Sequence, residues 1–412
     1  MDKNKFTYYC TDCGKEYRTD STMYLCPVCS KGNVSTLPPR GVLKIVYNYQ
    51  SIREKSKNFD TLCTNDFIDI LPVDNGSSFP FLRVGKTPLY NLQELNRKRL
   101  PFHIHLKDDS QNPTFSFKDR ASALVSAYAR EKKLSTIVAA STGNAGSSLA
   151  GICASQGQKA IVIVPETAPV AKLTQIIMYG ATIIPVKGTY DEAFDLSLKA
   201  SEVFGWYNRN TAFNPFTIEG KKTVSFELFQ QLNHKVPDRI FVPVGDGVII
   251  SGVYKGFEDL LMLGLIDRMP TVVAVQSSGS DNLVRNISKG NFSVKPSKTI
   301  ADSISVDIPR NFFMAQQYIS KYSGETIAVP DESIIDASSL LSKSSGIFCE
   351  PAAATAFAGL ISFQKSGKID DNSDNVVLLT GSGLKDLKSV SSIIRIPESI
   401  YPTINNLQKL LS

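Results

Sequence analysis

The stretch TIVAASTGNAGSSLAGICASQGQKAIVIVP, residues 136–165, carries two short apolar runs, TIVAAS and KAIVIVP, on either side of a helix-like AGSSLAGICASQG. A strand with one face in water would alternate apolar and polar residues. These runs do not, so both their faces are covered, as in a parallel sheet with helices on each side. The unit repeats outward: AKLTQIIMYG reads as a helix closed by Gly180, TIIPVK as a strand and YDEAFDLSLKASEVFG as a helix closed by Gly205. After a break at WYNRNTAFNPFTIEG the winding resumes with helix GKKTVSFELFQQLN, strand RIFVPVG, a helix from Val248 to Gly264 and strand TVVAVQS. ETIAVP, a helix from about Asp331, helix PAAATAFAGLISFQ and strand NVVLLTG follow. The expected fold class is α/β, two wound parallel-sheet domains with a cleft between them.

At 412 residues, 42% hydrophobic and 20% charged, the chain has room for two or three domains and is too apolar for wholesale disorder. Its net charge of +6 is dispersed rather than gathered into blocks, which argues against nucleic-acid binding and suits a small anionic substrate. No apolar run reaches the roughly 18 residues of a membrane span, and MDKNKFTYYC lacks the apolar core of a secretory signal. A cytoplasmic location is therefore expected, with no membrane partner.

Of seven cysteines, four fall in two C-x2-C pairs, Cys10 with Cys13 and Cys26 with Cys29, on short turn-rich segments. Four thiolates so spaced can close a tetrahedron around Zn2+, supplying stability that so short a segment cannot draw from a core. With all four positions taken by protein, the metal would be structural. Residues 1–38 are read as this zinc-ribbon-like segment, and 39–110 as an N-terminal arm contributing to the larger domain. Residues 111–215 are read as a smaller α/β domain and 216–412 as the larger one.

Ligands of wound sheets sit beyond the carboxyl ends of the strands. Three such loops are chemically loaded: STGNAGSS (141–148), PVGDGVIISG (243–252) and TGSGLKD (380–386). In the second, Gly245 and Gly247 let the backbone curl at a helix N-terminus, a place that attracts phosphate. Neither a G-x-G-x-x-G with its following acidic residue nor a G-x-x-x-x-G-K-[ST] loop is present, so the phosphate belongs to another ligand. NPTFSFKDRASALV, residues 112–125, adds a lysine, Lys118, at the mouth of a helix, where the macrodipole disfavours a cation.

PTFSFKDR, STGNAGSSLAG, NPFTIEGKKT, VGDG, EPAAATAFAG and LLTGSGLKD resemble, in order and rough spacing, the pyridoxal-phosphate enzymes of the tryptophan-synthase-β type (fold type II), and among them the threonine synthase family. The resemblance covers about residues 80 to 390. It implies that Lys118 forms the internal Schiff base with pyridoxal 5'-phosphate. A nucleophilic amine must be uncharged, and the helix end with neighbouring Arg120 is expected to lower its pKa. It places Phe117 beside the cofactor, Asn144 at its phenolic oxygen, the backbone of Gly245, Asp246, Gly247, Val248 and Ile249 around its phosphate, and Thr380 at its ring nitrogen. Asp246 is compatible with a phosphate only if its carboxylate points away. Ser116, Ser141, Thr142, Lys172 and Arg209 are the expected substrate contacts, and Glu350 would lie near the cofactor. The implied activity converts O-phosphohomoserine and water to threonine and phosphate, in a homodimer acting on a small amino-acid substrate.

Three positions depart from that family. Thr217 stands where an arginine is usual in N-P-x-R-x-E-G, so Arg209 or Lys172 would have to hold the substrate phosphate. Phe115 replaces a glycine and is expected to fill space beside Lys118, and Ser382 replaces a histidine. Thr217 leaves open a β-elimination or β-replacement enzyme, like the serine or threonine ammonia-lyases, acting on an unphosphorylated amino acid.

Overall fold

The computed structural model describes residues 5–18, 21–56 and 58–411. The first four residues, 19–20 of the cysteine-rich segment, residue 57 and the last residue lie outside it. Two parallel sheets carry the molecule. The smaller has four strands in the order Thr182–Val186, Lys159–Pro165, Thr136–Ala140, Tyr207–Asn208, all parallel. The larger has six, in the order Glu325–Val329, Thr271–Ser277, Arg239–Pro243, Asp374–Leu379, Lys98–Asp108, Leu89–Leu95. All are parallel except the antiparallel edge strand. A third, antiparallel sheet joins the cysteine-rich strand Phe6–Cys10 to Glu16–Tyr17 and Leu43–Tyr47. Fold class thus agrees with the sequence pattern: the central apolar runs are buried on both faces, and of the expected strands only the edge ones, Thr182–Val186 and Glu325–Val329, are partly open.

Among the elements that escape the sequence pattern, two bear on the site. Lys98–Asp108 does alternate, with Phe102, Ile104 and Leu106 buried, but Lys98, Arg99, Pro101 and two histidines dilute the apolar signal. The helix Phe216–Gln231 begins four residues before GKKT, inside the segment read as a break. The Asn214 side chain accepts from the Phe216 N–H at 2.9 Å and the Thr217 hydroxyl donates to the Asn214 carbonyl at 2.8 Å, so polar residues that look like a loop turn the chain into a helix.

Phe216–Gln231 runs between the helices Lys118–Glu131 and Val248–Met262 and ties the two sheets together. Gly220 allows the close approach: a Cβ there would collide with the Arg120 carbonyl. The same helix carries two buried ionic clusters. Glu227 meets Arg120 at 2.6 Å and Lys107 at 2.6 Å, and Arg120 also holds Asp109 at 2.6 Å. Lys222 bridges Glu219 and Asp259, at 2.5 and 2.7 Å, and Lys255 also pairs with Asp259. Tyr47 donates to Glu219 at 2.5 Å and Tyr49 to Asp259 at 2.6 Å, which fastens the N-terminal sheet and the short helix after it to this layer.

Burial alone would raise the Glu227 carboxyl, but Arg120, by charge and hydrogen bonds, and then Lys107 hold it down at about 2. A depressed carboxyl contributes stability that is complete above its unfolded value and is lost as pH falls through the folded one. Glu227→Gln should therefore cost about 3–5 kcal/mol at neutral pH, leaving Arg120 and Lys107 short of their partner. Urea titrations should show that deficit shrinking below about pH 4, the ordinary carboxylate range.

Candidate active site

The carboxyl ends of both sheets open on one cavity of about 450 Å³. Three helices begin at its wall, at Lys118, Asn144 and Val248, and none has a side-chain cap at its N-terminus. At the Lys118 helix the Phe117, Asp119 and Arg120 N–H groups are taken by backbone carbonyls, so it is the dipoles of all three, and the helix starts at Asn144 and Val248, that favour a negative ligand. At the third helix the cap is Gly247, with φ of +84°. A side chain there would be strained and would press on Leu283 and Ala315.

Lys118, Ser141, Thr142, Asn144, Arg209 and the run Gly245–Ile249 all line this cavity. The Asp246 carboxylate accepts the Arg310 backbone N–H at 3.1 Å, and its charge still reaches the Lys118 and Lys221 amines. Phe117 and Thr380 are buried just behind, joined by a 2.9 Å hydrogen bond from the Phe117 N–H to the Thr380 carbonyl. Ser116 is bridged to Gly381 and is also buried off the wall, its hydroxyl without a partner. Lys172 is not on the wall: it is partly exposed and pairs with Asp302 at 2.7 Å. Thr217 faces its own helix start and reaches no ligand space.

Two expectations need correction. Arg120 does not act on Lys118, because its guanidinium is turned into Asp109 and Glu227. The Lys118 amine is nevertheless lowered. Burial is the main cause, Glu350 opposes it, and the cation that adds to it is Arg209. Phe115 does not fill space beside Lys118, being 51% exposed. Its φ of +68° shows why a glycine is usual there, since an L-residue is strained in that region.

Glu350 is built into the site more firmly than its sequence context suggests. It is buried, and both carboxylate oxygens accept from Asn144 Nδ2 at 3.0 Å while the Ser303 hydroxyl donates at 3.2 Å. Burial raises its pKa. Sequence reading missed Lys221, Tyr190, Arg310 and the loop 302–308, all on the wall. None sits in a glycine-rich loop, and the Lys221–Lys222 doublet reads as a solvated face.

A family model described as "Pyridoxal-phosphate dependent enzyme" matches residues 81–381. The chain belongs to this family. Within it the chain groups with threonine synthases: it is 36% identical over 411 residues to the threonine synthase of Methanocaldococcus jannaschii, covering 98% of each chain. It is 32% identical to that of Methanosarcina acetivorans, again over 98% of each. Among solved structures, the processed form of threonine deaminase isoform 2 from Solanum lycopersicum superposes with a TM-score of 0.65 at 24% identity, over 75% of this chain and 88% of that one. That likeness concerns the fold. The pyridoxal phosphate of the family fits the residues present, which offer a lysine amine, uncapped helix starts and cationic walls around one space.

The amine of Lys118 must be neutral to capture an aldehyde, so the rate of pyridoxal-phosphate capture should rise with pH through a midpoint below the ordinary lysine value of about 10.4. Glu350→Gln removes a charge that raises that midpoint and should shift the profile to lower pH. Stopped-flow measurement of the visible band from pH 6 to 10 checks the sign.

Proposed function

We propose that the chain converts O-phosphohomoserine and water to threonine and inorganic phosphate. The observation that carries this reading is a lysine in a cavity lined by an uncapped helix start and by a buried Arg209 that has no carboxylate at ion-pair distance among the described residues. Burial brings that guanidinium down to about 10, so it remains charged at neutral pH. An unphosphorylated substrate would leave the cation unused. The threonine synthases to which the chain is 32–36% identical point the same way.

Lys118 would hold the cofactor, the N–H groups of Gly245 to Ile249 would bind its phosphate, and Thr380 would stand at its ring nitrogen. Bound there, the cofactor supplies an electron sink that lets protons leave the α- and β-carbons of the substrate. The Lys118 amine, displaced by the substrate's own, carries those protons between carbons as general base and acid. Arg209 holds the substrate phosphate until it departs. Ser141 and Thr142, at the start of the Asn144 helix, orient the substrate. The Glu350–Asn144 pair fixes the floor. Water then adds at the β-carbon, so the hydroxyl of threonine comes from solvent and the phosphate leaves intact.

The four cysteine sulfurs lie within 4.8 Å of one another, and Cys13 and Cys26 are 3.9 Å apart. Such spacing suits a tetrahedral structural Zn2+, with metal–sulfur bonds of about 2.3 Å. A cytoplasmic homodimer completes the reading on the strength of the family resemblance. No helix of the described residues is long and apolar enough to cross a membrane.

Purified protein supplied with pyridoxal phosphate should release inorganic phosphate from O-phosphohomoserine and form threonine in equal amounts. A keto acid from serine or threonine with no phosphate release would instead support the elimination reading. Metal analysis should find about one zinc per chain, lost with a fall in Tm in Cys26→Ser.

A further inference from the structure

Among the described residues the fully buried basic side chains are Lys107, Arg120, Arg209, Lys221, Lys222 and Lys255. Four of them, Lys107, Arg120, Lys222 and Lys255, are paired with carboxylates. Arg209 and Lys221 are not, and both line the cavity around Lys118. Lys221 is the more exposed to this cost. Its Nζ donates once, to the Thr217 carbonyl at 3.2 Å, and has no carboxylate at ion-pair distance. Its neighbour Lys222 bridges two. One residue of the doublet thus serves the fold, and the other faces the ligand space with donors to spare.

A buried cation without a partner is costly, and proteins keep one where a ligand will supply the missing charge. The cofactor phosphate already has a seat, the uncapped helix start at Gly247. Position 221 lies one helical turn beyond Thr217, on the same face, so a lysine there can reach ligand space that a side chain at 217 does not. Resting on the functional reading above, we propose that Lys221, with Arg209 beside it, forms a second anion seat that selects the phosphate ester of the substrate. The direction of its pKa agrees: burial, then the charges of Arg209 and Lys118, lower the Lys221 amine against the opposing charge of Asp246, and an incoming phosphate would reverse the shift.

The test uses protein loaded with pyridoxal phosphate, and compares wild type with Lys221→Met and Lys221→Arg. Lys221→Met should retain the visible cofactor band at full occupancy, bind inorganic phosphate about ten- to a hundredfold more weakly by calorimetry, and lose kcat/KM for O-phosphohomoserine by at least as much. It should also melt higher than wild type in phosphate-free buffer, since it removes an uncompensated charge, and lose the stabilisation that added phosphate gives the wild type. Lys221→Arg should keep most of the phosphate affinity. The inference is overturned if Lys221→Met binds phosphate like the wild type, or if it sheds the cofactor with phosphate binding by the reloaded protein unchanged, which would assign the lysine to the cofactor. Failure of the wild type itself to release phosphate from O-phosphohomoserine would count against the functional reading instead.

Discussion

Two buried basic side chains without a carboxylate at ion-pair distance, Arg209 and Lys221, gathered at one cavity that Asp191, Asp246, Asp302 and Asp307 also line, are the constraint around which the structure is organised. Three uncapped helix N-termini, Arg209 and Lys221 converge there beside Lys118. Elsewhere the chain does not tolerate such imbalance: Arg120, Lys107, Lys222 and Lys255 are each given buried carboxylates at hydrogen-bonding distance. The contrast separates scaffold from site. Anionic ligands that bind the native state alone would stabilise a cavity holding these two cations. The same cavity also keeps the Lys118 amine toward its neutral, reactive form.

The scaffold that holds these charges reaches back to the first residues described. Tyr24 of the cysteine-rich segment accepts a hydrogen bond from the Asn208 N–H at 2.9 Å and stacks on Phe213, on either side of Arg209. Phe6 and Tyr8 pack on Phe216, the first residue of the helix that carries Lys221. The N-terminal sheet thus lies behind the second anion seat rather than beside the cofactor. The aromatic residues of the cysteine-bearing segment support the stretch 208–216 from behind.

Much of this was legible in the sequence, for identifiable reasons. Strands buried on both faces announce themselves as unbroken apolar runs, and glycines at 245 and 247 mark a backbone that must curl, so the parallel sheets and the Val248 helix were readable. Lys118 stood out because a helix start is a poor place for a charged amine. Lys221 did not, because sequence carries no record of which lysine of a doublet finds a carboxylate. That depends on Glu219 and Asp259 lying across Lys222, whereas Lys221 meets only the Thr217 carbonyl and has no carboxylate at ion-pair distance. Arg120 was misread for the same reason: two carboxylates, Asp109 and Glu227, claim it. Phe115 was misread because a left-handed φ, and not a space to fill, is what the usual glycine serves.

Reduction of the pyridoxal-phosphate-loaded protein with borohydride, followed by peptide mapping, tests the central claim most directly. The account predicts one modified lysine, Lys118, at about one equivalent per chain, with inorganic phosphate and other small anions competing for loading. Modification spread over surface lysines, or found chiefly at a different residue, would contradict it.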